Sequence, residues 1–272
     1  MSRHPNLHVL IVDPQNDFCD IPGAALPVAG ANADMERLAA FVDRQAARID
    51  AIHVTLDTHH PIDIAHPGFW TDAAGKAPPP FTMITATDVE RGVWRTRDAS
   101  HQARALAYTQ ALERGGQYTL VIWPEHCLIG TWGHNVHAHL NEALTRWSKS
   151  RSRWVSYAAK GMNPFTEHYG ALMAEVPDET DPGTALNTQL LEALAEADVV
   201  AVAGEASSHC VLTTMNQVAA HIGEHHLRKF HLLADCMSPV AAIPGADFPA
   251  IARAWLDEMR GRGMTVTTAQ EF

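Results

Sequence analysis

The chain has 272 residues, 46% hydrophobic and 19% charged, which is enough to bury one large core. Its formal charge of -11, from 20 basic and 31 acidic residues, argues against a nucleic-acid footprint or attraction to an anionic membrane, since both need clustered Lys and Arg. No apolar run is long enough to span a bilayer, no apolar signal core precedes the first strand, and the cysteines at 19, 127, 210 and 236 lack CxxC spacing; the expectation is a reduced, cytoplasmic protein with a small-molecule partner.

In chain order, Leu7 to Val12 is a continuous apolar run that predicts a buried strand, ending on Asp13. Ala31 to Ala47 has helical periodicity, and Ala51 to Thr55 predicts a second strand that runs out to Asp57-Thr58-His59. Residues 67 to 116 then interrupt the alternation with Pro78-Pro79-Pro80, Gly-containing turns and two tryptophans, and Ser100 to Glu113 predicts a helix within them. This insertion reads equally as a lid over the strand ends and as an edge decoration or oligomer contact.

Tyr118 to Ile122 predicts a third strand, followed directly by Trp123-Pro-Glu-His-Cys-Leu-Ile-Gly-Thr131. In that segment His126 is a ligand or a base, and Cys127 a nucleophile or ordinary core. Asn135 to Trp147 predicts a helix, Arg153 to Tyr157 a strand running toward Lys160, and Leu186 to Glu196 a further helix. Val199 to Ala203 predicts a strand, Gly204 to Cys210 a turn, Val211 to Ile222 a helix, and Phe230 to Ala234 a last strand.

Strand and helix thus alternate, which implies a three-layer, doubly wound α/β sandwich with a mainly parallel sheet of about six strands, in one domain over 1–272. In such sheets functional residues gather beyond the carboxyl ends of the strands. Asp13, Asp57 with His59, the Trp123 segment, Lys160 and Gly204 to Cys210 all fall there.

Cys210 sits where a strand gives way to a helix, so the helix dipole and free N–H groups there favour a thiolate and can hold an oxyanion. With Asp13 as proton carrier and Lys160 as its cationic partner, such a cysteine can carry out acyl transfer; singly, Asp13 is also an Asx-turn residue, Lys160 a solvated side chain and Cys210 a buried hydrophobe. Asp57 and His59 share one face of an extended chain, and His126 could complete a set of ligands for Zn, Fe or Mn.

Taken together, Ile11 to Cys19, Leu26 to Ala31, Asp57-Thr-His59, Trp123 to Thr131, Lys160-Gly161 and Gly204 to Cys210 resemble the isochorismatase-like cysteine hydrolases, nicotinamidases in particular, along nearly the whole chain. The resemblance implies a triad of Asp13, Lys160 and Cys210. It further implies a divalent metal, zinc first with Fe or Mn as alternatives, held by Asp57, His59 and His126, with His66 as an optional fourth ligand. Also implied are a cis peptide between Glu205 and Ala206, an oxyanion hole from the N–H groups of Ala206 and Cys210, and a ring-binding wall of Phe18, Trp123 and Tyr169.

The implied reaction is hydrolysis of nicotinamide to nicotinate and ammonia through a thioester, in a homo-oligomer. Alternatives are another small amide, an N-carbamoyl or a ureido compound, and, from another class, a metal-dependent binding protein without turnover. Three features depart from the usual pattern around the pocket: the long insertion, Ser208 and Glu205 beside the nucleophile, and the segment that follows Lys160.

Overall fold

The computed structural model describes residues 4–115, 119–243 and 245–272. Along the chain run β1 (Leu7–Val12), α1 (Ala31–Gln45), β2 (Ile49–Asp57), β3 (Trp70–Thr71), β4 (Met83–Ile84), α2 (Ala86–Glu90), β5 (Arg95–Thr96), α3 (Gln102–Arg114) and β6 (Leu120–Val121). They are followed by α4 (Ala138–Arg151), β7 (Ser156–Lys160), α5 (Thr188–Glu196), β8 (Val199–Gly204), α6 (Cys210–Ile222), β9 (Phe230–Leu233), α7 (Phe248–Gly261) and β10 (Thr265–Thr267).

Six strands form one parallel sheet in the order β10-β9-β8-β1-β2-β7. β1 lies inside it, buried on both faces, which is why its sequence is a nearly unbroken apolar run. Leu7, Val9 and Ile11 pack toward α1 and α4, whereas Leu10 and Val12 pack toward α5, α6 and α7, as the two-residue period of a strand requires. Helices therefore cover both faces, and the α/β sandwich expected from the alternation is the one observed.

The chain leaves β1 toward β2 on one side and leaves β8 toward β9 on the other, so the crevice between the ends of β1 and β8 is the topological switch point. Gly204 makes the close approach there possible. Its φ is +119°, and a Cβ on it would stand 1.9 Å from the Val12 carbonyl oxygen.

Two expectations are corrected. The run Tyr118 to Ile122 is not a strand of the parallel sheet: Leu120–Val121 pairs antiparallel with Met83–Ile84 of the insertion, and Tyr118 lies outside the described residues. The edge beside β2 is taken by β7, and a short buried apolar run has the same composition whichever sheet it joins. The sixth strand of the main sheet is instead β10, preceded by α7, both unforeseen.

Residues 67–115 form one small antiparallel pair, β3 with β5, one strand of a second that β6 completes, and two α-helices over a third core, in which Trp70, Ile84 and Leu112 pack with Phe18, Trp123 and Cys127.

Candidate active site

Asp13 leaves β1 with φ +45°, an unusual conformation for a residue other than glycine, and its carboxyl turns back into the sheet. There Thr55 Oγ1 donates to its Oδ1 at 2.5 Å. Lys160 ends β7, and its Nζ lies 2.8 Å from Asp13 Oδ2, 3.0 Å from Asp57 Oδ1 and 3.7 Å from Cys210 Sγ, while also donating to the His168 carbonyl. All four groups are buried. Gly161 permits this approach: its φ is +82°, and a Cβ would meet Asp57 Oδ1 at 3.1 Å.

Burial pushes the Asp13 carboxyl upward against the pull of the Lys160 ammonium. Lys160 is held well above its ordinary value, because Asp13 and Asp57 outweigh the cost of desolvating its charge. At Cys210 burial also prevails, raising the thiol well above its usual range despite Lys160, and the nearby Asp13 and Asp57 carboxyls act in the same direction. The helix terminus therefore does not make Cys210 a resting thiolate, contrary to expectation. It is a buried thiol that shares the Lys160 ammonium with its prospective proton acceptor, Asp13.

The peptide between Glu205 and Ala206 is cis, and among the described residues the N–H groups of Ala206 and Cys210 find no protein acceptor. Both residues line the adjoining pocket. Cys127, by contrast, is fully buried in the third core, with its backbone N–H given to Asp17.

Beside the triad lies a cluster of buried imidazoles. His59, His66 and His126 each present a ring nitrogen within 4.8 Å of the other two. Asp57 adjoins them: its Oδ2 is 3.1 Å from His59 Nε2 and 3.3 Å from His126 Nε2. His59 Nδ1 faces Asp63, and His126 Nδ1 faces the Pro124 carbonyl at 2.8 Å; these are the outer contacts that orient imidazoles toward a metal. His66 is kept neutral by burial, with a pKa of about 2, and its Nδ1 has no hydrogen-bond partner among the described residues. The donor set fits a divalent cation.

Gln15 braces the cluster by pairing both amide atoms with the Asp57 backbone, at 2.8 Å and 2.7 Å.

Cys210 of the triad and His126 of the imidazole cluster, with Asp57 between them, line one pocket of about 450 Å³. Phe18, Trp123 and Tyr169 all line it, and Trp123 Nε1 donates to the Tyr169 hydroxyl at 2.9 Å. Among the described residues, none of 67–115 lines it. The insertion instead buttresses the wall, where the Tyr108 hydroxyl accepts the Glu167 N–H at 3.1 Å.

Glu167, His209 and Val240 also line the pocket, and none was singled out from sequence for that role. His209 could have been, because it immediately precedes Cys210. Glu167 and Val240 carry no local signal. Burial pushes the Glu167 carboxyl up to about 8.

The topology is that of the isochorismatase-like hydrolase fold. By sequence, no family model and no curated protein matches the chain. By structure it is similar to an Acinetobacter baumanii nicotinamidase and pyrazinamidase, with TM-score 0.62, 20% identity and coverage of 100% of this chain and 99% of that one. A Pyrococcus horikoshii pyrazinamidase in complex with zinc gives TM-score 0.57 and 19% identity over 97% and 99% of the two chains. An isochorismatase family protein from Desulfovibrio vulgaris gives 0.54 and 16% over 98% and 95%.

Proposed function

We propose that the protein is a cysteine amidohydrolase that uses a divalent metal, and that its substrate is nicotinamide or a close relative. The observation that carries this reading is the buried contact of Lys160 with both Asp13 and Cys210, behind a pocket that Cys210 lines together with Asp57 and His126.

Cys210 attacks the amide carbonyl as its proton passes to Asp13, which the raised carboxyl pKa suits. The N–H groups of Ala206 and Cys210 hold the resulting oxyanion. Asp13 returns the proton to the departing nitrogen, ammonia leaves, and a thioester remains on Cys210. Asp13 then takes a proton from water as the water attacks, and collapse of the second adduct releases the acid and restores the thiol. Lys160 stays protonated and stabilises the anionic neighbours in turn.

His59, His66 and His126, with Asp57, would hold the metal, which when bound supplies a Lewis-acidic site for a ring nitrogen. Phe18, Trp123 and Tyr169 would flank the flat ring.

A different small amide, N-carbamoyl or ureido compound is the second reading, favoured by Glu167. A carboxyl that stays neutral near pH 7 can donate as well as accept, and so can recognise a polar substituent that nicotinamide lacks. Ammonia release measured over nicotinamide, pyrazinamide, N-carbamoyl amino acids and ureido acids separates the readings by their kcat/KM ranking. Turnover of none of them by the zinc-loaded protein would exclude both.

A further inference from the structure

The loop that carries the Ala206 N–H and Cys210 is stitched to residues 236–240. Gly204 N–H donates to the Cys236 carbonyl at 2.9 Å and Ser207 N–H to the Ser238 carbonyl at 2.9 Å. Val240 N–H donates to Ser208 Oγ at 3.0 Å, and Val240 is itself pocket wall. Ser238 is the pivot, because its N–H donates to Glu205 Oε2 at 3.1 Å and its hydroxyl to Asp34 Oδ2 of α1 at 2.5 Å.

Among the described residues Glu205 is fully buried and forms no ion pair, and its carboxyl is in hydrogen-bonding contact with that of Asp34. Two carboxyls in such contact must share a proton, since both cannot be ionised in a buried site. Both oxygens of Asp34 are already supplied with donors: Arg37 donates to its Oδ1 and the Ser238 hydroxyl to its Oδ2. The shared proton is therefore placed on Glu205, which is fully buried without an ion pair and whose Oε1 receives no hydrogen bond among the described residues.

We propose that Glu205 is a positioning residue: its protonated carboxyl clamps the nucleophile loop to residues 236–240 and to the first turn of α1, and loss of that proton releases the clamp. The proposal rests on reading Cys210 and the Ala206 N–H as reacting groups. Burial, and then the charge of Asp34, hold the Glu205 carboxyl well above the usual range, so release belongs to alkaline pH. The groups around it act in both directions. Asp20 and Cys19 face it from the segment before α1 and Asp34 from α1, where Arg37 pairs with Asp34; Cys236 lies beyond, between Asp34 and Asp235.

Glu205→Gln tests this, since a glutamine keeps a donor toward Asp34 and an acceptor for Ser238 N–H but has no proton to lose. In wild type, kcat for ammonia release falls reversibly as pH is raised from neutral to strongly alkaline. In Glu205→Gln the ratio of alkaline to neutral kcat is higher by roughly fivefold or more. Glu205→Ala lowers kcat roughly tenfold or more at every pH with KM changed by less than about threefold, and Gln restores most of it.

Superimposable pH profiles for wild type and Glu205→Gln would overturn the proposal, as would wild-type kcat in a folded Glu205→Ala. If no amide is turned over at all, the amidase reading fails separately. The clamp is then read from the pH dependence of Cys210 alkylation by iodoacetamide, mapped by peptide mass. Divergence between wild type and Glu205→Gln supports the clamp, and coincidence rejects it.

Discussion

At the residue scale the decisive group is Lys160, a buried cation shared by two buried carboxylates and a thiol. Replacing it by methionine leaves Asp13 and Asp57 uncompensated, so Lys160→Met should lose about 3–5 kcal/mol of stability in a urea titration along with its activity. Glu175 offers a cleaner pH signature, away from the triad. Burial pushes its carboxyl up to about 7, despite N–H bonds from Gly170 and Tyr169. A folded pKa above the unfolded one means that the native state binds more protons between the two. Its contribution is therefore complete below about pH 4.5 and is lost as pH rises to about 7, to an extent on the order of 3 kcal/mol. Glu175→Gln should flatten the stability-pH curve across that window; an unchanged slope by chemical denaturation would contradict the assignment.

At the scale of elements, strand ends carry the chemistry and helices set it in place. α3 belongs to the insertion yet holds the pocket wall through Tyr108, so Tyr108→Phe should cost about 1 kcal/mol and raise KM more than it lowers kcat. Unchanged KM would detach the insertion from the pocket. The alternation was legible because strands buried on both faces, such as Leu7–Val12 and Val199–Gly204, must be apolar throughout. Asp13 was legible for the complementary reason, since a polar residue directly after such a run has a cost unless it is partnered, whereas Lys160, at the end of the partly exposed β7, and Cys210, at the start of α6, were legible by their positions and by the resemblance. β6 misled because its apolar pair is buried in a small antiparallel sheet, and β10, Thr-Val-Thr, has a single apolar residue to announce it. Glu167, Val240 and the Glu205–Asp34 contact are products of tertiary packing, between segments whose separation in sequence gives no hint of proximity.

At the scale of the whole molecule, two layers of helices hold the sheet, and the reversal of strand order opens the crevice that the triad occupies. The imidazole cluster ties β2 and the following loop to the segment after β6, so a metal there links the main sheet to the insertion's base. Zinc at about 100 times its Kd should stabilise the fold by about 2.7 kcal/mol, visible as a rise in Tm that a chelator reverses and that His66→Ala weakens. An identical Tm with and without metal would argue against the site. The central claim, that Cys210 is the nucleophile of an amidase, is tested most directly by ammonia release from nicotinamide with the metal-loaded wild type and a folded Cys210→Ala. The account predicts turnover by the first and a loss of roughly 10³-fold or more in the second. Equal rates would contradict it.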